Sequence, residues 1–206
     1  MSDIRLGILG GTFDPPHYAH LVLAENALAQ LGLDRVLFAI AGHPPHKPNH
    51  PIATDEQRVR MVEAAMGDAP HFGISFVDLE RPGPHYTVDM LALLKEQHPG
   101  ATLHFLIGGD SLAHLPSWRE PERIVAQARL GVMERPGYTP DLDALAREIP
   151  SIRERVDWLE VPNLEISSAE LRRRVRESLP IRYLVPPAVE RYIRESHLYQ
   201  STPHPR

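Results

Sequence analysis

Short apolar runs and stretches of helical periodicity alternate along the chain. Ile4–Leu9 is a short, mainly apolar run that stops at Gly10-Gly11, which reads as a strand followed by a tight turn. From His17 to Leu31, the residues Leu21, Ala24, Leu28 and Leu31 recur at helical spacing. Val36–Ile40 is a second strand-like run, ending at Ala41-Gly42, and a loop rich in proline and histidine spans His43 to Pro51. Thr54 predicts a helix start, with Gln57 three residues on as its reciprocal capping partner, and Val59, Val62, Ala65 and Met66 give that helix an apolar face. Ile74–Leu79 predicts a third strand, and Thr87–Gln97 a helix through Val88, Leu91 and Leu94, closed by Pro99-Gly100. Leu103–Ile107 predicts a fourth strand, ending at Gly108-Gly109-Asp110, and Arg129–Met133 a fifth.

Strands separated by helices of about three turns form βαβ units, so the expected fold class is α/β with a parallel sheet. Ligands on such sheets sit beyond the carboxyl ends of the strands. Three of those ends carry small residues here: Gly10-Gly11, Ala41-Gly42 and Gly108-Gly109. Past Gly137 the pattern turns helical, with Asp141–Glu148, Ile152–Val156, Ser167–Glu177 and Pro187–Ser196 as candidates. No internal repeat is visible. The expectation is a single domain over 1–200, its helical C-terminal part about 141–200, and a flexible tail at 201–206.

Composition narrows the class. The formal net charge is −5 over 206 residues, which disfavours a general nucleic-acid binder despite the basic stretch Arg172-Arg173-Arg174-Val175-Arg176. Cysteine is absent, so neither a disulfide nor a Cys-ligated zinc is expected. Met1-Ser2-Asp3 lacks the basic start of a signal peptide, and no apolar run nears the ~18 residues of a membrane span. A soluble, cytoplasmic protein without a membrane partner is the expectation. The 21 prolines fall mostly in loops such as Pro15-Pro16, Pro44-Pro45 and Pro186-Pro187, where they stiffen connections.

Two constellations carry chemistry. The string Gly10-Gly11-Thr12-Phe13-Asp14-Pro15-Pro16-His17-Tyr18-Ala19-His20 joins the first strand to the first helix. Its glycines let backbone approach a ligand, and the helix start behind them favours an anion. His17 and His20 lie on one face of the first turn, where both imidazoles can donate to phosphate. Either histidine alone reads equally as a helix cap or a packed side chain. Neither a G-x-G-x-x-G run nor a P-loop lysine is present. The second string, Ile166-Ser167-Ser168-Ala169-Glu170-Leu171-Arg172, opens another helix, with Ser167 as cap and Glu170 as its capping-box partner. Arg172 and Arg176 lie one turn apart, and a guanidinium fork suits phosphate oxygens, although solvated arginines on a capped surface helix fit the same residues.

These strings resemble the signatures of Rossmann-like nucleotidyltransferases, in which a His-x-x-His pair contacts a triphosphate and an Ile-Ser-Ser-Thr-x-Ile-Arg segment closes over its β- and γ-phosphates. Ala19 stands where many members have Gly, and Ala169 where many have Thr. Further segments are similar to the nicotinate-nucleotide adenylyltransferase family: Pro44-Pro45-His46-Lys47, Gly83-Pro84-His85-Tyr86-Thr87, Phe105 to Ser111, Leu115-Pro116-Ser117-Trp118, Arg135-Pro136-Gly137-Tyr138, Tyr183-Leu184-Val185-Pro186 and Leu198-Tyr199. Ile40-Ala41-Gly42-His43 departs from the Pro-Asn pair expected before Pro44-Pro45.

The resemblance implies a Rossmann-like open parallel sheet with helices on both faces and a small helical C-terminal portion. It implies transfer of AMP from ATP to nicotinate mononucleotide, giving deamido-NAD and pyrophosphate, with Mg2+ held mainly by the ATP phosphates and no protein metal site. His17, His20 and Arg172 are the implied catalytic residues. ATP and its phosphates are assigned Gly10, Gly11, Thr12, Phe13, His17, His20, Gly108, Asp110, Ile166, Ser167, Ser168 and Arg172. The acceptor is assigned His46, Lys47, Tyr86, Thr87, Trp118 and Arg135. Asp110 can hold a ribose hydroxyl or cap a helix, Trp118 can face a pyridine ring or sit in the core, and Arg135 can face the acceptor or order its own loop. Alternatives are a related nucleotidyltransferase with another phosphorylated acceptor, such as phosphopantetheine, and a non-catalytic nucleotide sensor. A homo-oligomer is left open.

Overall fold

The computed structural model describes residues 4–42, 53–134 and 140–200. In chain order, β1 (Arg5–Gly11), α1 (Tyr18–Gln30), β2 (Arg35–Ile40), α2 (Asp55–Met66), β3 (Phe72–Ser75) and α3 (Thr87–Gln97) form the first half. Next come β4 (Thr102–Gly108), α4 (Gly109–His114), a 3-10 turn (Leu115–Ser117), α5 (Pro121–Gln127) and β5 (Arg129–Met133). The chain then runs through α6 (Leu142–Glu148), α7 (Ile152–Arg155), β6 (Val156–Leu159), α8 (Ser168–Arg176) and α9 (Pro187–Glu195).

The strands form one sheet in the order β3-β2-β1-β4-β5-β6, with every neighbouring pair parallel. The chain builds outward from β1 to β3, then crosses back to place β4 on the other side of β1. The order therefore reverses between the carboxyl ends of β1 and β4, the place where open parallel sheets leave a crevice for a ligand. This is the α/β, Rossmann-like architecture with helices on both faces.

Alternation along each strand sorts side chains into two layers. Leu6 and Ile8 of β1, Leu37 and Ala39 of β2, and Leu103 and Phe105 of β4 face Leu91 and Leu94 of α3 and Ile124 and Val125 of α5. On the other face, Leu9, Val36, Phe38, Ile40 and Leu106 pack with Leu23, Ala24 and Ala27 of α1 and Val62 of α2. A third cluster joins Met61 and Ala65 of α2 to Leu171 of α8, Val189 and Ile193 of α9, and Tyr199. It fixes the C-terminal helices beside the β1–α1 joint.

Three differences from the periodicity have physical causes. β3 is Phe72–Ser75 rather than Ile74–Leu79, because its pairing with β2 ends at Ala39↔Ser75 while the apolar run goes on into a turn. The 141–200 region, expected to be helical, supplies the edge strand β6, whose Asp157 carboxylate receives a two-pronged hydrogen bond from Arg129 of β5 at 2.6 and 2.7 Å. Helix α5 starts with Pro121, a residue suited to a first turn. No helix among the described residues is long and apolar enough to cross a membrane.

Candidate active site

Local chemistry makes the β1–α1 joint. Phe13 takes a left-handed backbone, φ +50°, and turns its ring into the core. A Cβ added to Gly11 would lie 2.8 Å from that ring, so glycine is needed there for close approach. The Phe13 ring meets His20 edge-on at 5.0 Å, leaving only its backbone able to meet a ligand.

His17 is the N-cap of α1. Its backbone N–H donates to Nδ1 of His20 at 3.2 Å, and the two rings stack with centroids 3.7 Å apart. His17 is buried, and among the described residues its Nδ1 has no hydrogen-bond partner. Burial pushes its pKa down to about 4, so it is a neutral imidazole at neutral pH. His20 is half-buried on the same turn.

The second constellation lies directly against the first. Ser168, the first residue of α8, donates its hydroxyl to the Pro15 carbonyl at 2.8 Å, and Arg172 donates Nη1 to the Asp14 carbonyl at 2.7 Å. The two helix starts, distant in sequence, thus share one loop. Ser167 caps α8 by accepting the Glu170 N–H at 3.2 Å. The Glu170 carboxylate does not complete a capping box; it pairs with Arg173 at 2.7 and 2.8 Å, where two charge-assisted bonds outweigh one backbone bond. Arg176 lines a separate C-terminal groove with Leu179 and Ile193.

A cavity of about 380 Å³ opens at the carboxyl ends of β1, β2 and β4. Gly10, Gly11 and Thr12 line it together with Tyr86, Thr87 and Trp118, so the β1–α1 loop and the described acceptor candidates share one space. Tyr86 is the N-cap of α3, and Thr87 its first residue. Trp118 packs edge-on against Phe105 at 6.2 Å. Gly108 caps α4 close to the Asp110 carboxylate, where an added Cβ would lie 2.5 Å from Oδ1; neither residue lines the cavity. Ile166 precedes α8 and packs on the third core cluster. His46, Lys47 and Arg135 lie outside the described residues.

Several residues with clear roles carried no distinguishing sequence signal. Arg58 of α2, fully buried, donates to the Thr12 carbonyl at 2.9 Å and the Ala41 carbonyl at 2.7 Å, tying the ends of β1 and β2 together. Asp14, also buried, accepts the Tyr199 hydroxyl at 2.6 Å and the Ala53 N–H at 3.3 Å. Burial and the Asp14 carboxylate push the Tyr199 phenol well above its usual range, so it remains a donor. Beside the cavity, Arg81 holds Asp78 at 2.7 Å, and burial nonetheless raises the Asp78 pKa.

Known proteins resemble this chain in sequence and in fold. A family described as cytidylyltransferase-like matches residues 8–174. The chain is 49% identical over 197 residues to a protein of Thermomicrobium roseum named as a probable nicotinate-nucleotide adenylyltransferase, covering 96% of this chain and 92% of that one. A protein of the same name from Roseiflexus sp. strain RS-1 is 46% identical over 200 residues, covering 97% and 100%. In fold, the chain superimposes with a TM-score of 0.78 on the Plasmodium falciparum nicotinic acid mononucleotide adenylyltransferase complexed with NaAD, at 23% identity and covering 95% and 97% of the two chains. Identity at this level over almost the full length places the chain among the cytidylyltransferase-like proteins and, within them, in the nicotinate-nucleotide adenylyltransferase family.

Proposed function

We propose that the chain transfers AMP from ATP to nicotinate mononucleotide, releasing pyrophosphate and giving deamido-NAD, a step of NAD biosynthesis. The observation that carries this reading is the meeting of the α1 and α8 starts on one loop, beside a cavity that also holds Tyr86, Thr87 and Trp118. The names of the relatives support it.

The acceptor phosphate is ionised at neutral pH and needs no general base. One of its oxygens attacks the α-phosphorus in line. The bond from that phosphorus to the bridging oxygen breaks, and the electron pair leaves with pyrophosphate. The protein's part is positioning and charge stabilisation. His20 accepts at Nδ1, so its neutral form carries the proton on Nε2, ready for a phosphate oxygen. His17 acts as a neutral donor in this reading. Arg172 spends one nitrogen on Asp14 and keeps the rest of its fork for the leaving group, with Ser168 beside it.

Magnesium bound to the triphosphate would come in as part of the substrate and would supply positive charge to the leaving pyrophosphate, beside Ser168 and Arg172. Among the described residues no group of three or more His, Asp or Glu side chains is placed to hold a metal. The reading makes this a cytoplasmic enzyme of small molecules, without nucleic-acid or membrane partners, and leaves a homo-oligomer open.

The test is the chain with ATP, magnesium and, separately, nicotinate mononucleotide, nicotinamide mononucleotide and phosphopantetheine. Deamido-NAD and equimolar pyrophosphate are expected from the first. Turnover of phosphopantetheine alone, or nucleotide binding without pyrophosphate release, would replace this reading.

A further inference from the structure

We infer that Tyr183 is a nucleotide-binding residue, whose phenol hydroxyl holds the pyrophosphate end of ATP from outside the start of α1. The inference rests on the adenylyl-transfer reading and adds a group that belongs to neither helix-start string.

The backbone singles this residue out. Among the described residues, one phenylalanine and two tyrosines take a left-handed backbone. Phe13 and Tyr199 do so with their rings buried in the core, at φ +50° and +62°. Tyr183 does so at φ +68° with 85% of its surface exposed. A left-handed backbone is unfavourable for any residue with a Cβ, and no core packing offsets it here. Such strain persists where the surrounding structure enforces it, and it clusters at ligand sites. The enforcement is visible. Ile181 and Val185, on either side, are buried in the third core cluster. The Leu184 N–H donates to the Ile181 carbonyl at 3.0 Å and closes the turn, while Arg182 pairs with Glu190 of α9 at 3.6 Å. The Tyr183 side chain is thus presented outward from a fixed turn.

That turn sits on the start of α1. The Tyr18 N–H, the first of the helix, donates to the Leu184 carbonyl at 3.2 Å. In-line transfer says which part of the nucleotide belongs there, because the entering and leaving oxygens stand on opposite sides of the α-phosphorus. The acceptor enters from the cavity, which Gly10, Gly11 and Thr12 line and Tyr183 does not. Pyrophosphate then lies on the far side, further along the same loop. There Arg172 meets Asp14, Ser168 meets Pro15, and Tyr18 meets the residue after Tyr183. The phenol therefore stands at the leaving-group end of the β1–α1 joint. A phenol O–H donating to an ionised phosphate oxygen makes a charge-assisted bond, stronger than a neutral one.

The experiment titrates the wild type, Tyr183→Phe and Tyr183→Gly with ATP, with pyrophosphate and with AMP, each in the presence of magnesium. Tyr183→Phe deletes the hydroxyl alone and should weaken ATP and pyrophosphate by the same factor, about tenfold, with AMP unmoved. Tyr183→Gly should weaken both at least as much, yet melt about 2 °C higher, since glycine accepts the left-handed backbone. A turn that served the fold alone would show the gain in melting temperature with every affinity unchanged, and that result would overturn the inference. Weaker binding in Tyr183→Gly but not in Tyr183→Phe would overturn it too, because the hydroxyl would not be the contact. So would an equal loss for AMP, which lacks the leaving group. These titrations need no turnover. A wild type that released no pyrophosphate with nicotinate mononucleotide would sink the reaction assignment, a result distinct from all of these.

Discussion

The backbone N–H of His17 donates to Nδ1 of His20 at 3.2 Å, and that single bond decides which nitrogen of a neutral His20 carries the proton. With Nδ1 an acceptor, a neutral His20 donates through Nε2–H. His20→Ala removes that donor without opening the core, since His20 is only half-buried. Loss of one such donor typically costs ~10²–10³ in turnover. Steady-state kinetics should show a kcat drop of that order at a melting temperature within a few degrees of wild type. An unchanged kcat would remove His20 from the mechanism.

His17 makes a separate prediction about acid. In the folded chain it takes up its proton only near pH 4, while in the unfolded chain it does so near pH 6.5. Between those values the unfolded state holds more protons on this residue, so stability falls as pH falls. The full loss from this residue is about 3 kcal/mol, complete by pH 4 and absent above pH 7. His17→Gln should flatten the fall of melting temperature between pH 7 and pH 5. Parallel curves for the two proteins would mean that burial of His17 is not what acid opposes.

Tyr199, beyond α9, is tied to the β1–α1 loop through Asp14, and Tyr199→Phe deletes only that oxygen. A buried acceptor that loses a donor costs on the order of 2 kcal/mol, roughly a 5 °C fall in melting temperature for a chain of this size. Because Arg172 bonds the same residue's carbonyl, KM for ATP should rise while KM for the acceptor stays put. A loss of stability with both constants unmoved would confine Tyr199 to holding the fold.

Much of this is legible in the amino-acid sequence. Strands as regular as Val36–Ile40 and Leu103–Ile107 fell within a residue of their observed ends, and the reciprocal Thr54–Gln57 cap formed at 2.9 and 3.2 Å. The two helix-start strings are legible because glycine, histidine and capping residues have local reasons to stand together, and the structure brings them to one loop. What stayed hidden depends on partners far along the chain. Arg58 sits in a helix among other charged residues, and nothing nearby distinguishes a buried arginine from a solvated one. Asp14 takes its role from Tyr199, 185 residues away. Strand β6 has four residues, too few for a period to declare itself, and it exists because Arg129 and Asp157 fasten it to β5.

Arg58 leads to a sharper stability test. Arg58→Met fills similar space but leaves the Thr12 and Ala41 carbonyls without their donor. Two part-buried acceptors that lose this charged donor cost about 3 kcal/mol. Chemical denaturation should show that loss, and activity should fall with it, since these carbonyls mark the ends of β1 and β2 at the cavity. A variant as stable as wild type would show that the two strand ends are held by the sheet alone.

The paired glycines of β1 should fail in different ways when each is given a methyl group. In Gly11→Ala the new Cβ lies 2.8 Å from the Phe13 ring, nearer than Cβ contacts allow, so the ring has to move. That ring is wedged against His20 at 5.0 Å and Phe38 at 5.5 Å, and the left-handed backbone of Phe13 leaves it little freedom. The imidazole is displaced with it, and overpacking adds ~1–3 kcal/mol of instability. In Gly10→Ala the Cβ lies 3.3 Å from Phe105, a tight but tolerable contact on the wall that leads to Trp118. Gly11→Ala should therefore lower kcat at least tenfold through misplacement of His20. Gly10→Ala should chiefly raise the acceptor KM, by narrowing the cavity. If both variants changed the same constant to the same degree, the division of this loop into a phosphate side and an acceptor side would be wrong.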